Sequence, residues 1–252
     1  MEKAINKLII VTFAAAVLFG ALTYHYRDAE HDSICREDLS FTLSRYIDID
    51  LKALDVTVMP YDGELIRVSY TSDLPLAFKI EDNKLIVTES NKFMISLFTG
   101  GDSVYGLKML LPKEVYKEIK IHTGTGGVNV GRVDSNSVSI ITNSGDIVCE
   151  NAVSRSSLTS TSGNITLDFD EAVTGSDIFT RTGNAEISFP KGSSVLVNFE
   201  TETGMCSTDL PVGTAAGSRQ YSFNGGNRLI NAALQSGILK IYEKGKNSNE
   251  AL

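Results

Sequence analysis

The sequence predicts an all-β protein, and three observations lead there. Between Ile121 and Leu210 one short phrase is written five times, its glycines Gly126, Gly145, Gly163, Gly183 and Gly204 standing 18 to 21 residues apart. The slots five before, two after and four after each glycine hold 14 apolar residues in 15, far above the 42% apolar share of the whole chain. Ser or Thr fills all ten slots three and one before the glycine. A period near 20 residues, sustained in this way, is the mark of a stacked repeat.

Within one phrase apolar and polar residues alternate, the two-residue period of a half-buried strand. Ile140, Thr142 and Ser144 share one face, while Asn143, Arg181 and Glu202 point the other way in their own phrases. From the slot before the glycine to the apolar slot two after it is an odd step, so the glycine must turn the chain. A positive φ, open to glycine at no steric cost, is the expected means. Two short strands cannot enclose a core alone, but stacked units bury a continuous one. The prediction is a β-solenoid, parallel β-helix-like, with Thr and Ser stacking as hydroxyl ladders beside the bend. An antiparallel sandwich is the competing architecture.

The remaining elements follow in chain order. After a short cytoplasmic tail, 1–7, the run Leu8–Tyr24 carries no Asp, Glu, Lys or Arg and is preceded by Lys3 and Lys7. It is long enough, at the short end, for a transmembrane anchor. A cleaved signal peptide is the rival, and Phe19–Tyr24 offers no good small-x-small site. A juxtamembrane linker, 25–36, precedes an N-terminal β cap, 37–112, expected to be antiparallel. It includes Ile47-x-Ile49-x-Leu51, Val56-x-Val58, Ile66-x-Val68-x-Tyr70, Leu85-x-Val87 and Leu107-x-Met109-x-Leu111. Solenoid repeats and a C-terminal cap fill 113–244, with Gly213–Gly226 read as a small-residue loop and a sixth phrase at Ser236–Ile241 closing the stack. A flexible tail, 245–252, ends the chain. The tail, anchor and large β domain place that domain outside the cytoplasm, behind a single pass through the cell membrane.

Leu107–Pro112, Ile119–Thr123 and the Thr/Ser-x-Ser-Gly-x-Ile phrases resemble a bacterial family of β-strand-repeat proteins known as "putative adhesins", a domain of unknown function. The resemblance covers Ile47 to Ile241. It implies an extracytoplasmic solenoid-like domain, often behind one membrane helix and sometimes linked to envelope stress. It supplies no catalytic residues.

The search for chemistry returns little. A net charge of −8 without a basic stripe argues against nucleic acid. Cys149 and Cys206 fall on inward slots three phrases apart, beyond disulfide reach, and no catalytic, cofactor or metal set emerges from the three cysteines and three histidines. A glycan-active β-helix enzyme would draw on Asp146, Asp168, Asp170, Glu171 and Asp177 with Arg155 and Arg181. Asp168–Glu171, however, reads as a solvated turn. Asp146, Asn164 and Asn184 share the slot after the glycine and should form a row. With Arg181 they make the candidate interaction surface of a non-enzymatic module, whose expected partners are the membrane and a cell-wall polymer or another envelope protein.

Overall fold

The computed structural model describes residues 35–72, 75–89, 105–150, 155–170, 175–208, 213–214 and 220–244. Among them are 21 strands and no helix, so none is long and apolar enough to cross a membrane. The tail, the anchor at Leu8–Tyr24, nearly all of the linker and the segment 245–252 lie outside the described residues.

The chain enters through β1 (Cys35–Phe41), then β2 (Tyr46–Leu51), β3 (Asp55–Tyr61), β4 (Ile66–Ser72), β5 (Leu76–Glu81), β6 (Lys84–Glu89) and β7 (Gly106–Pro112). The first repeats are strand pairs: β8 (Glu118–Thr123) with β9 (Val128–Val130), and β10 (Ser137–Thr142) with β11 (Ile147–Glu150). β12 (Arg155–Ser160) with β13 (Ile165–Asp168), and β14 (Ser176–Thr182) with β15 (Ala185–Phe189), continue the series. Then come β16 (Val195–Thr201) with β17 (Met205–Thr208), β18 (Gly213–Thr214), β19 (Gln220–Phe223), β20 (Arg228–Ser236) and β21 (Ile238–Glu243).

Two sheets collect these strands. One runs β1-β4-β7-β3-β9-β11-β13-β15-β21-β17, the other β18-β19-β16-β20-β14-β12-β10-β8-β2-β6-β5. Each repeat gives one strand to each sheet and so forms a rung. Neighbouring rungs pair in parallel, which replaces the antiparallel sandwich. The register aligns like with like: Ile121, Ile140, Leu158 and Ile178 in one sheet, Val128, Ile147, Ile165 and Ala185 in the other. All eight are buried. A one-residue slip would turn these side chains outward, so burial itself holds the register.

Residues 37–112 are not a separate antiparallel cap. β2 and β3 pair in parallel with β8 and β9, and β6 and β7 pair in parallel with β2 and β3 from the other side. Antiparallel pairing in this region includes β4 on β7 and β5 on β6. The reason is a hidden phrase. Ile49, Val56 and Val58 occupy the apolar slots of Ile121, Val128 and Val130, while Leu51 and Leu54 stand where later phrases have Thr and Gly.

The sixth phrase does not close the stack either. β20 lies between β14 and β16, and β21 between β15 and β17, so the last phrase is inserted between the fourth and fifth. Beyond β16 the segment read as a loop supplies an antiparallel strand, β19, whose Phe223 is buried and packs on Phe189 at 5.4 Å between ring centroids. The two ends therefore share one device: a rung added later in the chain lies out of sequence, outside its predecessor at one end and inside it at the other. The insertion also puts four steps between the cysteine-bearing strands β11 and β17, about 19 Å by sheet spacing. Burial raises the Cys149 thiol to about 12 and raises that of Cys206.

Candidate functional site

The corner is built from the glycine and the hydroxyl three residues before it. A Cβ on Gly145 would lie 1.9 Å from the Gly126 carbonyl oxygen, and one on Gly163 would lie 2.0 Å from that of Gly145. Gly126 meets Leu54, and Gly183 meets Gly163, in the same way at 1.9 and 2.2 Å. The spine then passes from Gly183 to Gly237, at 2.0 Å, and from Gly237 to Gly204, at 2.6 Å. Among these six only Gly237 has a positive φ, +129°. The expected positive φ is therefore not what the five repeat glycines provide; they let one rung's backbone lie against the next.

The ladder of hydroxyls completes each corner. Thr142 Oγ1 donates to the Gly126 carbonyl at 3.2 Å and accepts the Gly145 N–H at 3.0 Å. Ser160 Oγ repeats this between Gly145 O, 3.1 Å, and Gly163 N, 2.8 Å. Thr123 does so between Leu54 and Gly126, and Thr180 donates to Gly163 O. All four hydroxyl residues are buried, where an unpaired backbone group is costly.

Asp146, Asn164 and Asn184 do stack as one exposed row, but their oxygens are engaged. Asp146 Oδ1 accepts the Asn164 N–H at 2.7 Å, Asn164 Oδ1 the Asn184 N–H at 3.0 Å, and Asn184 Oδ1 the Ile238 N–H at 2.9 Å. Gly127 N donates to Asp55 Oδ1 at 2.7 Å in the same manner, one rung earlier. The row satisfies backbone N–H groups that each corner leaves open. Arg181 is exposed on the outer face of β14, away from this row by its place in the phrase.

The carboxylates considered for acid–base work are also engaged. Asp168–Asp170 is not a solvated turn: Phe169 is 1% exposed and plugs the core at the edge opposite the glycine corner. Glu171 lies outside the described residues. Lys244 Nζ pairs with Asp168 Oδ1 at 2.8 Å and with Asp170, and Arg132 reaches Asp170 Oδ2 at 2.7 Å. The hydrogen bond from Lys244 holds Asp170 below the usual carboxylate range, with Arg132 adding to the effect. Burial alone would lower Lys244, but its bonds to Asp168 and Asp170 outweigh that and raise it. Next to this cluster, burial and a hydrogen bond to Glu186 raise Tyr242 to about 12. On the outer sheet face Arg155 lies 3.6 Å from Asp177, and His122 Nδ1 lies 2.7 Å from Asp50 Oδ1.

Among the described residues that face also carries an open feature that the sequence reading missed. A depression of about 280 Å3 lies over β12, β14, β20 and β16. Ala233 forms its floor, between Phe179 on β14 and Glu200 on β16. Beside it runs a chain of side-chain bonds: Asn231 Nδ2 to Asp177 Oδ1 at 2.8 Å, Asn198 Nδ2 to Asn231 Oδ1 at 3.1 Å, and Gln220 Nε2 to Asn198 Oδ1 at 2.8 Å. The available signal was the outward slot four before the glycine, which carries Ile141 and Phe179, both more than 40% exposed, in an otherwise polar position. A second depression, about 490 Å3, lies over β3, β4 and β7 and includes Glu37, Asp38 and Lys108.

The family model described as Toastrack DUF4097 matches residues 107–237, more than half of the chain. The chain belongs to that family. The matched span runs from β7 to the corner between β20 and β21, so it holds all six spine glycines. Among solved structures, a putative cell adhesion protein from Clostridium sporogenes is similar at a TM-score of 0.51 and 12% identity, covering 84% of this chain and 100% of its own. A putative adhesin from Bacteroides fragilis gives a TM-score of 0.42 at 12% identity, covering 84% and 97%. A putative lipid binding protein from Parabacteroides distasonis gives 0.36 at 12%, with the same shares. No curated protein matches the chain. The family match and the Clostridium sporogenes likeness support the all-β, toastrack-like fold, whose two large sheets are built mostly from parallel pairs.

Proposed function

We propose that the protein is a non-enzymatic, membrane-anchored module, solenoid-like in its stacking, that presents its outer sheet faces to envelope polymer outside the cytoplasm. The observation that carries this reading is the state of its carboxylates. Asp168 and Asp170, the pair best suited to acid–base work, are neutralised by Lys244 and Arg132, and Asp146 caps a backbone N–H. None of the three lines either depression described above, whereas glycoside hydrolysis requires two carboxylates flanking one open site. Extended stacks offer repeated weak contacts, and display at a membrane multiplies them. The uncharged run Leu8–Tyr24 supports the anchor, and the Clostridium sporogenes neighbour's description as a cell adhesion protein supports the binding role.

One experiment tests location, binding and the lack of turnover together. Intact spheroplasts carrying the full chain should retain fluorescently labelled, purified cell-wall polymer, and protease added outside should abolish the retention. Soluble reducing ends should not rise during incubation. Protease-insensitive retention, or none, overturns the reading; a rise in reducing ends that Asp168→Ala removes establishes the glycan-active alternative.

A further inference from the structure

The geometry points to the Phe179–Ala233–Glu200 depression as a subsite for a neutral, hydroxyl-rich glycan. This inference rests on the binding-module reading and gives it a place and a ligand class. Three features select the ligand. Phe179 is 43% exposed on the outward side of a central strand, where its ring forms a flat apolar wall. Ala233, the next residue along the same row, is too small to fill the space between that ring and Glu200. Polar groups then converge on the space: Ser157 and Thr159 hydroxyls, the Asn198 and Asn231 amides, and the Glu200 carboxylate.

The chemistry excludes the other classes in turn. The Asn198 and Asn231 amides are tied to Asp177 and Gln220 in a chain, so they are held in place while keeping spare donor and acceptor capacity. Fixed planar groups with both donors and acceptors suit vicinal hydroxyls, and an aromatic ring suits the apolar C–H face of a sugar. An anionic polymer would meet Asp177 and Glu200 on a chain of net charge −8. A cationic peptide would find Asp177 already facing Arg155 at 3.6 Å and Asn231 at 2.8 Å. An extended peptide has no free strand edge to pair with there, because β20 is bonded to β14 and β16 on its two sides. A lipid chain needs an enclosed apolar cavity, and this one is open and polar-rimmed.

The test uses the full chain in detergent micelles, titrated with cellotetraose, chitotetraose and mannotetraose as neutral probes, oligogalacturonate as the anionic probe and trilysine as the cationic one. At least one neutral tetrasaccharide should bind, with a loss of about tenfold in Phe179→Ala and no detectable binding in Ala233→Trp, which fills the depression from its floor. Both side chains lie on the outer face, and matching melting curves would verify that the variants are folded. Binding to none of the neutral probes, a preference for oligogalacturonate or trilysine, or affinity unchanged in both variants would overturn the proposal. Spheroplast retention of wall polymer that survives both substitutions would sink this subsite while leaving the module reading intact; absent retention sinks the broader reading.

Discussion

Gly145 and Gly204 occupy the same place in the same phrase, yet they sit in different structures. In the central rungs each corner lies against its chain neighbour, and the hypothetical Cβ of Gly145 collides with a backbone carbonyl at 1.9 Å. At the end of the stack Gly204 faces Gly237, a corner made later in the chain, at 2.6 Å, with the Thr201 hydroxyl equally near. The hydroxyl three residues earlier differs too: Thr142 is 1% exposed, whereas Thr201 is half-buried. Moreover Gly237 has Leu234, not Ser or Thr, in that slot. The repeat specifies how a corner is made. It does not specify which corner comes next.

The widest separation of the two regions should come from Gly145→Val and Gly204→Val. In the centre, rungs on both sides fix the carbonyl that must move, so Gly145→Val should cost about 3 kcal/mol or more. At the end the looser approach should hold Gly204→Val to about 1–2 kcal/mol. Thermal unfolding of the full chain in micelles measures both, and equal losses would remove close approach as the reason for the glycine.

A smaller contrast is expected at the ladder. Thr142→Val keeps the shape but strands the Gly145 N–H and the Gly126 carbonyl in the interior, at about 2 kcal/mol. Thr201→Val leaves Gly204 N–H, bonded at 2.6 Å in the parent, near enough to solvent to be rehydrated, and should cost about half as much. Denaturant midpoints of the two variants decide the matter; a larger loss at Thr201 would break the comparison.

The smallest effect concerns the charged edge where the inserted rung is pinned. Lys244→Met should cost about 1 kcal/mol at neutral pH, because the ions it pairs with are partly solvated. Asp170 is depressed, so its contribution is fully present above the ordinary carboxylate value and is lost as pH falls through its folded value. Lys244 is raised, so its contribution is present below its ordinary value and is lost as pH rises through its folded value. The stability gap between parent and variant should therefore begin to narrow as pH falls below about 4 and again as it rises above about 10.5. A gap that narrows at neither extreme would show that Lys244 acts through packing of its stem instead.

What could be read in the chain follows from which residues have no substitute. A corner with a backbone carbonyl pressed against it admits only glycine, and a buried N–H and C=O on either side of one side chain call for a hydroxyl. Ser and Thr therefore recur with Gly, and the all-β stack was legible. Rung β2/β3 was not, because Leu51 and Leu54 keep the apolar spacing while discarding both markers. The order of the last rungs was not, because phrases of one shape are interchangeable until Phe223 and Lys244 find their distant partners. The Asp146, Asn164 and Asn184 row was foreseen as a row, but bonds to the next rung's backbone, invisible in sequence, determine its role. The Phe179 depression draws Ala233 and Glu200 from the sixth and fifth phrases, so no local pattern could assemble it.

Insertion of β20 and β21 between older rungs sets a timetable for folding. When the ribosome has released β16 and β17, the slot beside β14 and β15 is still empty, and the strands that fill it end at Glu243. At typical elongation rates the wait is roughly a few seconds, during which two strand edges have no neighbour. Pairings of such sequence separation are slow to form and expose the chain to wrong partners meanwhile. A ribosome that stalls before Arg228 would thus release a stack with a missing inner layer, a natural substrate for quality-control proteases. The fold is completed only after its late segment has threaded back, so translation through that segment is itself a condition of stability.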